Sequence, residues 1–495
     1  MSKRHYKRGI EREQGYLLPP SMEEYVKEDN PVRAIDSYVE SLDIGKLKFE
    51  NAEGEVKPGQ PAYPPRSLLK LYLYGYLHRT RSSRQLEAEC ERNLEVLWLL
   101  QGLKPSYKTI ADFRKNNLKA LKQVNQDFVQ LCKELDLFGA ELVGIDGSFF
   151  RGNVAKGSIF TTKRLQESLK RIEEDISGYL EELNQVDQEE AQHAQGKGDL
   201  KAKLEQLQQK QAKRKEQLQQ LQESGETQIA EVDQDARLLV KNGQVVAGYN
   251  VQIAVDEKYK LIVVGEVTRD SDDTQQAAPM GIAAKQVLEV ETLETVDDRG
   301  YFNGPQIKEC LENGITPYIP EPDRQSEKIL QGRFPRRDFQ YNPTSNCYTC
   351  PGGKDLPYKR DIQKKEDRVI WIYQSSSQEC AACPLKDKCL PAKTNFRTVT
   401  RWEHEDILEA HRQRMAEMGA EKMRKRMGLC EHPFGTLKMW CGWTHFLLRG
   451  LEKVRAEWSL LMTCYNFKRV LSILGLAAFR AHCSTRKMQS LAVMS

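Results

Sequence analysis

The 495-residue sequence has no run of eighteen or more apolar residues, the length that a membrane-crossing helix requires. Nor does Met1–Arg12 carry the apolar stretch that follows the basic residues of a secretory signal, so the expectation is a cytoplasmic protein with no membrane partner. Net charge is nearly absent: 75 Lys and Arg stand against 71 Asp and Glu, leaving +4. Average charge therefore identifies no polyanionic partner, and any affinity for nucleic acid has to come from local basic patches. A phosphate-binding loop is lacking as well. Gly152–Ser158 reads GNVAKGS, but no Lys-Ser/Thr follows its second glycine, which argues against a nucleotide cofactor.

What is present suits a folded protein of two to four units, with 39% hydrophobic and 8% aromatic residues. Twelve cysteines in a long chain without an export signal point to reduced thiols or a metal site rather than to disulfides. Seven of them sit singly in ordinary segments and read as core residues.

The first residues carry Lys3, Arg4, His5, Lys7, Arg8 and Arg12, a basic arm able to lie on phosphates or a solvated terminus. From Pro65 to Leu118 apolar residues recur at helical spacing, which predicts a helical unit over 1–135. Arg79, Arg81 and Arg84 cluster between its helices, and a final helix opening at Pro105–Thr109 carries Arg114. Short helices with tight turns and these four arginines make the unit a DNA-binding candidate; a bundle with an ordinary basic surface is the competing reading.

Character changes at Glu141–Phe150, where Leu142, Val143 and Ile145 run into Asp146, predicting a buried strand that ends at a carboxylate. Val245–Asp256 and Lys260–Thr268 predict two further strands, and Leu293–Tyr301 another one ending in acids, before a helix from Gln306. Ile315–Ile319 reads as a short strand that Pro317 would confine to an edge. Between the first two strands, leucines and isoleucines from Leu165 to Leu221 recur every three or four residues amid dense charge. They predict an antiparallel, partly coiled-coil hairpin over 161–228, turning at Gly196–Gly198 and serving as spacer or dimer contact. The catalytic unit would thus comprise 136–160, 229–325 and a helical part at 401–475, with a Cys-rich insertion at 326–400 and a basic tail at 476–495.

Acids at the ends of strands of one sheet suit phosphodiester chemistry. Two divalent ions roughly 3.5 to 4 Å apart relieve charge on the attacking and leaving oxygens, and hard ions of this kind take oxygen ligands. Asp146 and Asp298 are the strand-end candidates. A third carboxylate is expected from a helix packed across the sheet, where Lys422–Trp440 supplies Glu431 beside Arg424, Arg426 and Lys438. A surface salt-bridge helix is the plainer alternative, although Leu429, Cys430, Phe434 and Leu437 imply one buried side.

In combination, VGIDGSFFRGN around Asp146, GYNVQIAVD at Gly248–Asp256, DDRGYF at Asp297–Phe302 and CEHPFGTLK at Cys430–Lys438 resemble the DDE transposases of bacterial insertion sequences. PAYPPRSLLKLYLYGYLHR at Pro61–Arg79 resembles their InsH-type N-terminal domain. The resemblance implies an α/β ribonuclease-H-like catalytic domain, joined to the all-α N-terminal domain and carrying the helical hairpin and Cys-rich insertion. It implies Asp146, Asp298 and Glu431 as ligands of Mg²⁺ or Mn²⁺, two ions in all, with Lys438 on DNA phosphate. Asp298 is preferred to Asp297 because it immediately precedes the x-Gly-Tyr of the family phrase. One departure stands out: a Tyr-x-x-Arg ahead of the Glu is usual in relatives, and here the positions hold Arg424 and Met427, so Arg424 or Arg426 would take over the phosphate contact.

Two Cys-x-x-Cys pairs, Cys347/Cys350 and Cys380/Cys383, or the set Cys350, Cys380, Cys383 and Cys389, are suited to a structural zinc ion. The second set resembles the cysteine-bearing insertion of related transposases. The function implied is metal-dependent cleavage and strand transfer of double-stranded DNA at terminal inverted repeats, by a homodimer or higher oligomer associated with the bacterial nucleoid. A nuclease that cuts without joining, and a non-catalytic DNA-binding derivative, are the alternatives; strand-transfer products and metal-dependent nicking separate them.

Overall fold

The computed structural model describes residues 21–52, 61–188, 194–241, 243–322, 332–364 and 368–494. The basic segment Lys3–Arg12 lies outside the described residues. Helices α1 (Val32–Ser41), α2 (Pro65–Leu77), α3 (Ser83–Arg92), α4 (Leu94–Leu99), α5 (Tyr107–Asn116) and α6 (Leu118–Glu134) form the N-terminal unit. Their starts are written locally. Pro65 opens α2 with its fixed φ, the Asn93 side chain caps the N–H groups of Glu95 and Val96 at 3.0 and 3.3 Å, and Ser106 caps Thr109 at 3.3 Å.

A six-stranded mixed sheet follows. It comprises β1 (Leu142–Arg151), β4 (Arg237–Lys241), β5 (Gln244–Asp256), β6 (Ile262–Thr268), β7 (Leu293–Asp297) and β8 (Ile315–Tyr318); short β2 (Ile159–Thr161) and β3 (Gln228–Ala230) pair separately. Its order is β4-β5-β1-β7-β8, with β6 also on β5. β8 is an edge strand, as Pro317 requires. β1 does not stop at Asp146. It continues to Arg151 because β5 runs antiparallel beside it as far as Gly248, whereas its parallel pairing with β7 covers only Leu142–Ile145. What ends at Asp146 is therefore the β1–β7 ladder.

The long helices α7 (Thr162–Gln188) and α8 (Ala194–Ser224) pack along each other. Gly196–Gly198 falls inside α8 rather than in a turn, and residues 189–193 lie outside the described residues. Arg214 interrupts the apolar seam of α8. It is nonetheless buried, stacked 3.8 Å over the Phe160 ring and paired with Glu231 at 2.9 Å, and so fastens the base of the hairpin.

A second sheet, five strands in the order β13-β12-β11-β10-β9, is built from β9 (Gln340–Asn342), β10 (Cys347–Thr349), β11 (Asp355–Lys364), β12 (Arg368–Gln374) and β13 (Thr398–Trp402). It has its own core of Phe339, Tyr348, Leu356, Tyr373 and Val399. The short α11 (Ser377–Ala381) flanks it, and α12 (Glu405–Gly435) returns the chain to the first sheet.

The last helix, α13 (Leu451–Met494), is broken at Gly475, whose φ of 77° is readily adopted only by glycine. Leu451–Gln489 is apolar enough by length and composition to cross a membrane, but 50% of its most apolar window is buried inside the protein, as in a core helix. It packs against β6, α6, α1 and α2. The expectation of a solvated basic tail fails here. Arg480 pairs with Glu28 at 3.2 Å, His482 with Glu134 at 3.3 Å, Arg486 with Asp127 at 3.1 Å and Lys487 with Glu40 at 3.3 Å, so an acidic face of the N-terminal unit holds the segment as helix.

Candidate active site

Asp146 and Asp298 follow matched positions of neighbouring parallel strands, since Ile145 lies opposite Asp297 in the β1–β7 register. In-register residues of parallel strands share a face, which puts Asp146 and Asp298 on one face and Asp297 on the other. Asp297 is completely buried, and burial drives its carboxyl well above the ordinary range. Asp298 is 39% exposed. Its carboxylate accepts the N–H of Gly300, and that of Asp146 accepts the N–H of Gly147 at 2.9 Å.

α12 covers the face of Asp146 through Leu429 and Cys430, which share a small apolar cluster with Leu142, Val296 and Tyr318. The approach depends on Gly144, because a Cβ there would stand 2.6 Å from Cys430 Sγ. Arg426, one turn before Cys430, places Nη2 3.2 Å from Asp146 and 3.8 Å from Asp298. Burial opposes the charge of this guanidinium, yet Asp146 and then the other acids raise its affinity for the proton. Pro433 cannot donate within the helix, and after it the chain forms a π-helical turn over Thr436–Trp440. That turn carries Lys438, whose ammonium reaches Ser148 Oγ at 2.5 Å and the Phe149 carbonyl at 2.9 Å, 4.6 Å above the Phe150 ring. Glu431 is exposed and makes no hydrogen bond or ion pair among the described residues.

Two carboxylates thus converge on one cation, and their donors are hard oxygens, the set that Mg²⁺ or Mn²⁺ takes. Side chains as they stand are not closed around an ion: among the described residues no three His, Cys, Asp or Glu form a group that could hold a metal.

Residues 20–116 match the family described as "Transposase domain (DUF772)", and residues 349–471 match the family described as "Transposase DDE domain". The two matches support a transposase of the insertion-sequence DDE type. Glu431 and Lys438 of this transposase fall inside the second matched segment, whereas Asp146 and Asp298 precede it. No curated protein matches the sequence. Among solved structures, a piggyBac transposase synaptic complex with hairpin DNA aligns over 93% of this chain and 80% of its own, at 10% identity and a TM-score of 0.32, too low to bear on the fold or the function.

The basic residues expected to meet DNA are divided by the fold of the transposase. Arg79 and Arg84 are exposed, Arg84 lying 5.3 Å over the Tyr107 ring. Arg81 is buried, donating to the His445 carbonyl at 3.0 Å and standing 3.7 Å from the buried Glu457. Arg114 is buried too, bonded to the Tyr76 hydroxyl at 3.0 Å and lying over Tyr72. Both are committed to joining helices and leave the surface. On α12, Arg424 is exposed, bonded among the described residues only to the Ala420 carbonyl of its own helix at 3.3 Å, while Arg426 faces the acids rather than solvent.

All twelve cysteines are free thiols. Cys350, Cys380, Cys383 and Cys389 line one small cavity, where burial and then the neighbouring thiols outweigh Arg397 and push the Cys389 thiol up. Cys347 is buried and instead contacts Ser345 at 3.0 Å.

The sequence reading passed over Asn250 and Gln252. Both are fully buried on β5, with side chains turned to the face away from α12. Two carboxamides at alternate positions of the otherwise apolar Tyr249–Val255 run are a legible sign of a polar task on that face.

Proposed function

We propose that this transposase cuts double-stranded DNA at the terminal inverted repeats of an insertion sequence and joins the freed ends to target DNA. Asp146, Asp298 and Glu431 would hold two Mg²⁺ or Mn²⁺ ions, whose bound charge would be supplied to the attacking and leaving oxygens of the phosphodiester. The observation that carries this reading is the convergence of Asp146 and Asp298 on a single cation at the end of the β1–β7 pair.

The strand order β6-β5-β1-β7-β8, in which β5 alone runs opposite to the other four, supports a ribonuclease-H-like catalytic domain. Glu431 would reach the acids by a rotation of its side chain on α12. Lys438 would leave the Phe149 carbonyl to meet a DNA phosphate, and Arg426, displaced from the carboxylates by the metal ions, would pass to the DNA phosphate. In the joining step a 3′-hydroxyl oxygen bonds to phosphorus, the bridging 3′-oxygen of the target strand leaves, and the number of phosphodiesters is unchanged. No nucleotide cofactor is therefore required.

Arg79 and Arg84 on the N-terminal unit would lie on DNA backbone. Cys350, Cys380, Cys383 and Cys389 would hold a structural zinc ion that braces the second sheet, a closed four-thiolate site without a position for substrate. Holding two element ends together would require a homodimer or larger assembly, acting on the DNA of a bacterial nucleoid.

The test is incubation of the purified chain with labelled DNA flanking its own gene and Mg²⁺, for the wild type and for Asp146→Asn, Asp298→Asn and Glu431→Gln. Cuts at the element ends with joined products, lost in all three variants, are expected. Cuts without joined products would reduce the activity to that of a nuclease, and a variant that retains full cleavage would remove its residue from the site.

A further inference from the structure

Asp273, in the loop between β6 and α9 (Ala277–Leu288), stands outside the three acids considered so far. Its Oδ1 accepts from Asn250 Nδ2 at 2.8 Å and from Gln252 Nε2 at 2.6 Å. Gln252 is itself held, since its Oε1 accepts the hydroxyl of Tyr301, three residues beyond Asp298. Two fully buried carboxamides and a buried tyrosine are thus devoted to fixing one oxygen of one carboxylate.

That carboxylate lies beside both Gly147 and Gly300, which follow Asp146 and Asp298 in the sequence. Its Oδ1 is 2.6 Å from the point where a Cβ on Gly147 would stand, on the face of β1 opposite to Asp146. Its Oδ2 is 3.9 Å from the corresponding point at Gly300, and Asp298 Oδ1 is 3.1 Å from the same point. Glycine at both positions leaves the gap open. Oδ2 makes no hydrogen bond among the described residues. On the same strand end Asp297 Oδ1, wholly buried, also has no partner there. Pinning the loop explains Oδ1 alone, and the carbonyl oxygen of an asparagine would do it equally well. The second, charged oxygen needs another reason.

We propose that Asp273 is a fourth carboxylate of the metal site, offering Oδ2 to the divalent ion held by Asp298. The inference rests on the reading of Asp146 and Asp298 as metal ligands. Asp273→Asn keeps the accepting oxygen for Asn250 and Gln252 and removes the charge. Binding of Mn²⁺ alone to the full chain, followed by calorimetry, should weaken roughly tenfold or more in this variant, and likewise in Asp298→Asn. It should stay unchanged in Asp272→Asn, whose carboxylate bonds, among the described residues, only within its own turn, to Thr274. Wild-type binding by Asp273→Asn alongside impaired Asp298→Asn overturns the inference and leaves the metal site standing. Wild-type binding by both overturns the metal site. Should Asp273→Asn unfold early, Fe²⁺-generated hydroxyl radicals decide on the wild-type chain: backbone cuts at both Asp298 and Asp273 support the proposal, and cuts at Asp298 without Asp273 end it.

Discussion

Arg426 and Asp146 form a 3.2 Å ion pair across the seam between α12 and β1, with each side chain less than one fifth exposed. A part-buried carboxylate that loses its partner is left undersatisfied, at a cost of about 1–3 kcal/mol. Arg426→Ala should therefore lower the melting temperature of the metal-free protein. Because a divalent ion and the guanidinium compete for the same oxygens, Mg²⁺ should raise the melting temperature of the variant more than that of the wild type. Equal rises would show that the arginine and the ion occupy separate places.

Gly144 sets how near α12 comes to the sheet. In Gly144→Ala the new Cβ would meet Cys430 Sγ at 2.6 Å and Leu429 Cβ at 3.2 Å. Overpacking of this kind costs about 1–3 kcal/mol and would tilt the helix that carries Glu431 and Lys438. Cleavage should fall with stability, and Cys430→Ala in the same chain should recover most of both. A double variant no better than Gly144→Ala would place the damage elsewhere.

His411 fixes the other end of that helix to the sheet. Only 1% exposed, its Nε2 meets the Ile319 carbonyl at 2.8 Å, and burial holds the imidazole below its ordinary value of 6.5. The folded chain then takes up this proton less readily than the unfolded one. Its stabilisation is complete above about 6.5 and is lost as pH falls through that value toward the lower folded one. Wild type should exceed His411→Phe in melting temperature at pH 7.5, by a margin that narrows toward pH 5. A constant margin would mean that folding leaves the proton affinity of the ring unchanged.

Lys438 is bound within the protein, to Ser148 and Phe149. If it exchanges these partners for a phosphate, Lys438→Ala should bind terminal DNA more weakly and reduce the slope of log affinity against log salt by about one. Lys438→Arg should retain that slope. Binding by the alanine variant with an unaltered slope would confine the ammonium to bracing β1.

Local pattern made the individual strands readable: β5 and β6 follow from their β-branched runs, and β8 follows with its edge position from Pro317. Strand order is different, because nothing within Leu142–Ile145 says that β7 will lie on one side and β5 on the other. The preference for Asp298 over Asp297 rests on a family phrase, and of the two it is Asp297 that is buried. Arginines were the least legible. Arg81 and Arg114 look in sequence like Arg79 and Arg84, but a guanidinium ends in a core when distant acids, carbonyls or hydroxyls wait there, and such partners as Glu457 and His445 are more than 300 residues away. The tail failed for the same reason: its basic residues are matched by Glu28, Glu40, Asp127 and Glu134 at the other end of the chain.

Because α13 lies between β6 and the α1, α2 and α6 bundle, the first and last quarters of the polypeptide cannot be exchanged independently. A chimera that took its amino-terminal helices from a relative while retaining its own closing helix would set new apolar contours against Trp458, Leu461 and Phe467, and would strand Arg486 without Asp127. Recombination among such chains should therefore preserve both ends together, with crossovers tolerated mainly in the projecting α7–α8 hairpin.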